Sequence, residues 1–259
     1  MGGILYDLGD LEGSFRYRTE GLAGLLAIGD VHSAAYILTY LADIHHTRLE
    51  EEQALAKLEQ AGDTLRTVED LRGLAAVGSL HTSCLLWGQK VQEARRVIER
   101  LLNETAGKAT ERFWGYRLNK LAIVQLVQAE TSSAIATLRQ AAALPATQAN
   151  AMMRFEVHST LALALTAVQD LAAAHQALLD APRIEGLSRW AEFDRDLIEG
   201  YIRLACGNPE TACSIANQVS QRAENYPLYA QVARQLLSAV QRGAPAQEFA
   251  RSMWVGEPA

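Results

Sequence analysis

The sequence predicts an all-α solenoid, right-handed, of six to seven antiparallel helix hairpins in one domain over residues 1–259. Three observations carry this. Ala and Leu make up about 30% of the chain, and both lose little on entering a helix. Small residues and turn residues recur in columns at steps of about forty. No segment sustains the Val/Ile/Thr alternation that a strand requires.

One column of small residues runs Ser14, Ala54, Ala94, Ala134, Ala174 and Ala212, with the last step slightly shorter. A second runs Gly2, Ala42, Thr82, Ala122, Ala162 and Gly200. Between them stands a turn residue: Asp10, Glu50, Lys90, Glu130, Asp170 and Asn208. Two antiparallel helices reach an axial distance of ~8–10 Å only where both side chains at the crossing are small. At Gly207-Asn208-Pro209 the local chemistry is explicit: Gly stops one helix, Asn caps the next and Pro suits its first turn.

Taken in order, the hairpins fall at about 1–28, 30–62, 64–105, 108–144, 147–182, 185–226 and 228–254. First helices carry an apolar stripe, as in Leu118, Leu121, Ala122 and Leu126, or Leu161, Ala162, Leu165 and Val168. Second helices are shorter, as in Ala134, Leu138 and Ala141, or Ala174, Leu178 and Ala181. Pro145, Pro182 and Pro227 fall where second helices should end. The first hairpin differs. Aligning Gly2 with Ala42 leaves only about two turns before Asp10, too little to cover the helix that follows. That helix carries Leu11, Phe15, Leu22, Leu25 and Leu26 but also three interior glycines. Residues 1–28 are therefore expected to pack on something outside the monomer: an upstream segment, a partner or a second copy, the last being self-association.

Composition narrows the function classes. Net charge is −6 with pI near 5.6, the wrong sign for direct nucleic-acid binding. No apolar run approaches the ~20 residues of a membrane span, and the N-terminus lacks the form of a signal peptide. Three cysteines, Cys84, Cys206 and Cys213, form no Cys-x-x-Cys and suit a reducing, cytoplasmic setting. Cys206 and Cys213 read as small residues packed between helices.

Signatures of catalysis are weak. His45-His46, with Asp43 and Glu50-Glu51-Glu52, is the one cluster with metal-like spacing. A di-metal bundle needs a second Glu-x-x-His, which is missing, and there is no His-Glu-x-x-His or Gly-x-Ser-x-Gly. The histidines instead suit the negative end of a helix, and the glutamates the start of the next. No metal, cofactor or catalytic residue is expected. His81, His158 and His175 stand alone in separate repeats and read as satisfied core or surface residues. Trp87 and Trp114 read as packing residues, and Trp190 as either a packing or a groove residue.

Gly200…Gly207-Asn208…Ala212…Pro227 resembles the tetratricopeptide-repeat signature: a small residue in helix A, a Gly–Asp/Asn turn, then Ala in helix B. Ala162…Asp170…Ala174…Pro182 and Ala122…Glu130…Ala134…Pro145 resemble it more loosely. The family's tryptophan position holds Leu38, Gly78, Leu118, His158 and Asp196, and its tyrosine position His45, Leu85, Gln125, Leu165 and Arg203. The long repeat is also similar to the sensor segments of bacterial transcription activators of the MalT/LuxR type, although no phosphate-binding loop or helix-turn-helix flanks it here.

The resemblance implies a groove lined by first helices. Mapped onto this chain, its positions are Tyr36, Thr39, Asp43 and His46; Ala76, Ser79 and Ser83; Tyr116, Asn119 and Ile123; Glu156, Ser159 and Leu163; and Asp194, Leu197 and Tyr201. Arg112 and Arg154 stand one turn further back, and Trp190 adjoins. The Lys/Asn set that clamps a peptide carboxylate in some family members is missing. The leading functional expectation is a non-catalytic scaffold or adaptor holding a protein or peptide in this groove. A sensing domain of a larger bacterial regulator comes second, and an enzyme with an unrecognised all-α site third.

Overall fold

The helices of this protein are set by their turns. At Gly9-Asp10 the amide of Asp10 donates to Leu5 O (2.9 Å) and that of Gly9 to Tyr6 O (3.0 Å), a Schellman pair that ends one helix. The Asp10 carboxylate then accepts from the Gly13 amide at 2.8 Å, starting the next helix. One dipeptide therefore stops one helix and starts another. The turn residue is left-handed at Gly9, Gly29, Leu49, Glu69, Gln89, Ala129, Gln169 and Gly207, with φ between 53° and 83°. From Gly9 to Gln89 the step is twenty residues, a helix of seventeen and a turn of three. Two such steps give forty, which is why the repeat is long.

The computed structural model describes residues 1–106, 113–182 and 189–256. Among them are fifteen helices and no strand. The chain divides into two compact units, Met1–Ala109 with Asn225–Leu228, and Thr110–Glu224 with Tyr229–Ala259. Unit 1 holds α1 (Gly2–Asp7), α2 (Leu11–Ala27), α3 (Val31–Thr47), α4 (Glu51–Thr67), α5 (Leu71–Trp87) and α6 (Val91–Thr105). Unit 2 holds α7 (Trp114–Val127), α8 (Thr131–Ala143), the short α9 (Pro145–Ala149), α10 (Ala151–Ala167) and α11 (Leu171–Asp180). It continues with α12 (Arg189–Ala205), α13 (Pro209–Arg222), α14 (Pro227–Arg242, of which the first two residues fall in unit 1) and α15 (Ala246–Ser252). Within each unit the helices follow one another as hairpins: α1–α2, α3–α4 and α5–α6, then α7–α8, α10–α11 and α12–α13. This is the all-α helical-repeat fold that the sequence predicts.

Both small-residue columns lie at the helix crossings. Ala42, Thr82, Ala122 and Ala162 in one, and Ser14, Ala54, Ala94, Ala134, Ala174 and Ala212 in the other, are wholly inaccessible to solvent. A Cβ added at Gly200 would stand 2.6 Å from Leu236 Cδ2. Ser14 Oγ donates to Gly2 O (2.8 Å), tying the first members of the two columns together.

The first hairpin is better covered than the sequence suggests. Tyr226 Oη donates to Tyr6 O (2.6 Å) and Asp7 O (3.0 Å), and the two tyrosine rings meet edge to face. Tyr6 Oη in turn pairs with Thr47 Oγ1 at 2.7 Å. A segment more than two hundred residues away thus covers α1, a contact no local pattern announces. At the far end of α2, Leu26 and the following Ile28 are exposed. The cysteine expectation needs correction: Cys206 is exposed and Cys213 partly so, while Cys84 alone is buried. No helix among the described residues is long and apolar enough to cross a membrane.

Candidate functional site

In unit 1 several groove positions bond to neighbours within the unit. Tyr36 Oη donates to Asp70 Oδ2 (2.6 Å), and His32 Nε2 lies 2.9 Å from the same oxygen. Asp70 also caps α5, accepting from the Arg72 and Gly73 amides at 3.0 and 2.9 Å. Burial works against its charge, but the bonds from Tyr36, Gly73, His32 and Arg72 outweigh it and hold the carboxyl down at about 2. Burial, with the bond to Asp70, pushes the Tyr36 phenol up to about 12. Thr39 Oγ1 turns back to Ala35 O (3.0 Å), and Ser83 Oγ to Ser79 O (3.3 Å). Asp43 lies near Tyr6 and Arg18, whose ionisation it influences.

The histidine pair belongs to this pattern. His45 Nδ1 lies 2.5 Å from Glu50 Oε2, and His46 Nδ1 lies 3.0 and 3.1 Å from the Glu51 oxygens. Both imidazoles are buried rather than solvated, and Glu50 makes no side-chain cap. Each ring reaches across the turn to an acid on the next helix. Cys84 from α5 joins His46 and Glu51, with one ligand atom from each within 4.8 Å of the others. The trio is a hydrogen-bonded imidazole–carboxylate pair beside a buried thiol.

Unit 2 is different. Its first helices α7, α10 and α12 pack side by side and also meet α15. Arg251 Nε donates to Val127 O (2.9 Å) at the end of α7, and Ser252 Oγ pairs with Tyr201 Oη (3.2 Å) on α12. These contacts set α15 at the C-terminal half of the face. There Ile123, Leu163, Leu197 and Tyr201, all groove positions in the sequence mapping, are buried.

The other half of the same face is polar. Asn119 and Lys120 come from α7, Glu156 and Ser159 from α10, and Asp194 from α12. Asn119 bonds the Glu156 carboxylate, and Glu156, Asp194 and Lys120 influence one another electrostatically. Burial raises the Glu156 carboxyl, against Lys120 and Asn119. Burial first, then the neighbouring Glu156, pushes Asp194 up to about 7, with Lys120 opposing. Asn119 and Ser159 are each 2% exposed, yet Asn119 Oδ1 and Ser159 Oγ have no hydrogen-bond partner. A buried polar atom left unpaired costs about 1–3 kcal/mol.

The structure therefore brings Asn119, Glu156 and Asp194 together, with Ser159 one turn after Glu156 on α10 and Tyr116 one turn before Lys120 on α7. Trp190 packs elsewhere, against the apolar cluster of Phe155, Ala181 and Ala191 beside Met152. Arg112 lies outside the described residues. His158 is not the satisfied residue expected, since neither ring nitrogen has a partner and burial lowers its pKa. Two participants were not singled out from sequence. Lys120 was signalled by its place next to Asn119, whereas α15 meets this face only through long-range contacts.

Comparison with solved structures fits this geometry. The fold is similar to that of a tetratricopeptide repeat protein from Parabacteroides merdae, with a TM-score of 0.58 at 16% identity over 93% of this chain and 81% of that one. It is also similar to PilF of Pseudomonas aeruginosa, with a TM-score of 0.50 at 17% identity over 92% and 93%. No protein-family profile and no curated protein sequence matches the chain. The class these findings define is an all-α protein with the tetratricopeptide-repeat fold.

Proposed function

We propose that the chain is a non-catalytic, cytoplasmic scaffold that holds a protein segment along the α7–α10–α12 face of unit 2. The observation that supports this reading most is α15. The face already takes up one helix, from the same chain, over its apolar half. A partner segment continues that track over Tyr116, Asn119, Glu156 and Asp194, where Tyr supplies contact area and Asn both a donor and an acceptor. The test is capture of partners by the immobilised full chain, identified by mass spectrometry. The double variant Tyr116→Ala/Asn119→Ala loses the partner while its melting temperature stays within a few degrees of wild type. Undiminished capture by that variant moves the site elsewhere.

A further inference from the structure

We propose that the cluster of Asn119, Glu156, Ser159 and Asp194 receives the guanidinium group of an arginine carried on the partner segment. The inference deepens the scaffold reading above and rests on it.

The cluster offers acceptors and little to fill them. Among the described residues, the two carboxylates Glu156 and Asp194 face one ammonium, that of Lys120, leaving one negative charge over when both are ionised. Asn119 Oδ1 and Ser159 Oγ add two buried acceptor positions without partners. The two side chains come from different helices, α7 and α10, so no one local backbone irregularity accounts for both. What is missing is a group with several N–H donors and a permanent positive charge.

Among the described residues, Lys120 is the cation that bears on Glu156 and Asp194, whereas the buried Arg117 of α7 lies over the Trp114 ring and bears on neither carboxylate. On α15, Glu248 is held by Arg242 (2.7 Å) and Arg251 by the Val127 carbonyl. On α12, Arg195 donates to Ala181 O and Leu178 O, and Asp196 pairs with Arg222. On α10, Arg154 influences His158, whose other charged neighbour is Asp180 of α11.

Among natural cations the guanidinium fits best. It carries five N–H donors in a planar fork, stays charged, and is more weakly hydrated than an ammonium. A lysine ammonium brings three donors and a larger desolvation cost. With a guanidinium in place, both carboxylates ionise against it, and the raised proton affinity of Asp194 falls towards the ordinary range.

The experiment titrates the full chain with butylguanidinium chloride and follows the carboxyl carbon resonance of Asp194 by NMR. Butylammonium and tetramethylammonium chlorides serve as comparison cations. Butylguanidinium is expected to give a saturable shift and to lower the pH midpoint of Asp194. Butylammonium binds more weakly, and tetramethylammonium, which has no N–H, gives no saturable shift. Glu156→Gln weakens butylguanidinium binding about tenfold or more. Should that variant fold poorly, Ser159→Ala provides the same comparison with a smaller loss. An unmoved Asp194 resonance, or equal responses to butylguanidinium and tetramethylammonium, overturns the proposal. Partner capture separates the two readings. Loss of the partner on Tyr116→Ala with full retention on Asp194→Asn/Glu156→Gln leaves the scaffold standing and removes the arginine pocket.

Discussion

Unit 1 and unit 2 share one kind of helix, one turn and two columns of small residues, yet treat the polar groups of their first helices in opposite ways. In unit 1, Tyr36 and His32 converge on Asp70, and His45 and His46 are matched to Glu50 and Glu51. In unit 2, Asn119 Oδ1 and Ser159 Oγ stay unpaired beside two carboxylates whose pKa values are raised. The same sequence criterion selected Tyr36 and His46 in unit 1 and Asn119, Glu156, Ser159 and Asp194 in unit 2. Polar character at a groove position therefore does not separate structure from function, whereas the state of its hydrogen bonds does. Satisfied groups hold helices together, and unsatisfied ones retain capacity for a ligand.

The largest expected effect tests the satisfied side. Asp70→Ala removes an N-cap and the acceptor for Tyr36 and His32 together, which should cost about 2–3 kcal/mol. Because the folded carboxyl titrates at about 2, below its ordinary value of 3.8, its electrostatic contribution is complete above pH 4. It disappears as the pH falls towards 2. Urea unfolding of wild type and variant across that window should show the gap narrowing. A gap that persists undiminished at pH 2 would mean that Asp70 acts through packing, and the contrast between the units would lose its electrostatic basis.

The next effect has the opposite sign. Asp194 titrates at about 7 in the folded chain and near 3.8 unfolded, so the native state binds the extra proton between those values. Stability from this group is full below pH 4 and is lost as the pH rises through 7. Asp194→Asn removes that loss, and the variant should be more stable than wild type by about 1 kcal/mol at pH 8, with no gain at pH 4. Paired melting curves at the two pH values check it. An Asp194→Asn variant that is destabilised at pH 8 would place Asp194 with Asp70 as a structural acid.

The sequence revealed the fold where the signal is local. Small residues at helix crossings recur with the turns, and Asp10, Asp170 and Asn208 carry the chemistry of a cap. The turns after Leu49, Gln89, Ala129 and Gln169 were legible from the residue that follows each, whereas the turn at Glu69-Asp70 was missed, because Glu69 stands where glycine would have marked it. The extent of α4 was underestimated for a similar reason: it runs to Thr67, past residue 62, as buried Leu65 extends its stripe. At the candidate site, residue type and register identified Asn119, Glu156, Ser159 and Asp194 as groove positions. Their lack of internal partners was not legible, since it depends on three helices at once. Of the two alternatives open for Trp190, the packing one holds, its bulk being taken up by the neighbouring Phe155 cluster.

The smallest effect asks whether the units differ in their faces alone. Glu69 and Gln169 occupy the same left-handed turn position, one in each unit, with φ of 53° and 62°. Both side chains are exposed. Each amide makes the same bond to the carbonyl three residues before, to Arg66 O at 3.1 Å and Thr166 O at 3.0 Å. A non-glycine residue there costs about 1–2 kcal/mol of backbone energy, and glycine returns about 0.5–1 kcal/mol of that through the entropy of the unfolded chain. Glu69→Gly and Gln169→Gly should therefore each stabilise by about 0.5 kcal/mol, by nearly equal amounts, and at both acid and alkaline pH. Denaturant midpoints with unchanged slopes measure the gain. Equal gains show that the turn is one device used twice and confine the contrast between the units to their polar faces. A gain in one unit and a loss in the other would mean that the turns themselves carry different loads, so that the unpaired groups of unit 2 would need to be reconsidered as a consequence of backbone geometry.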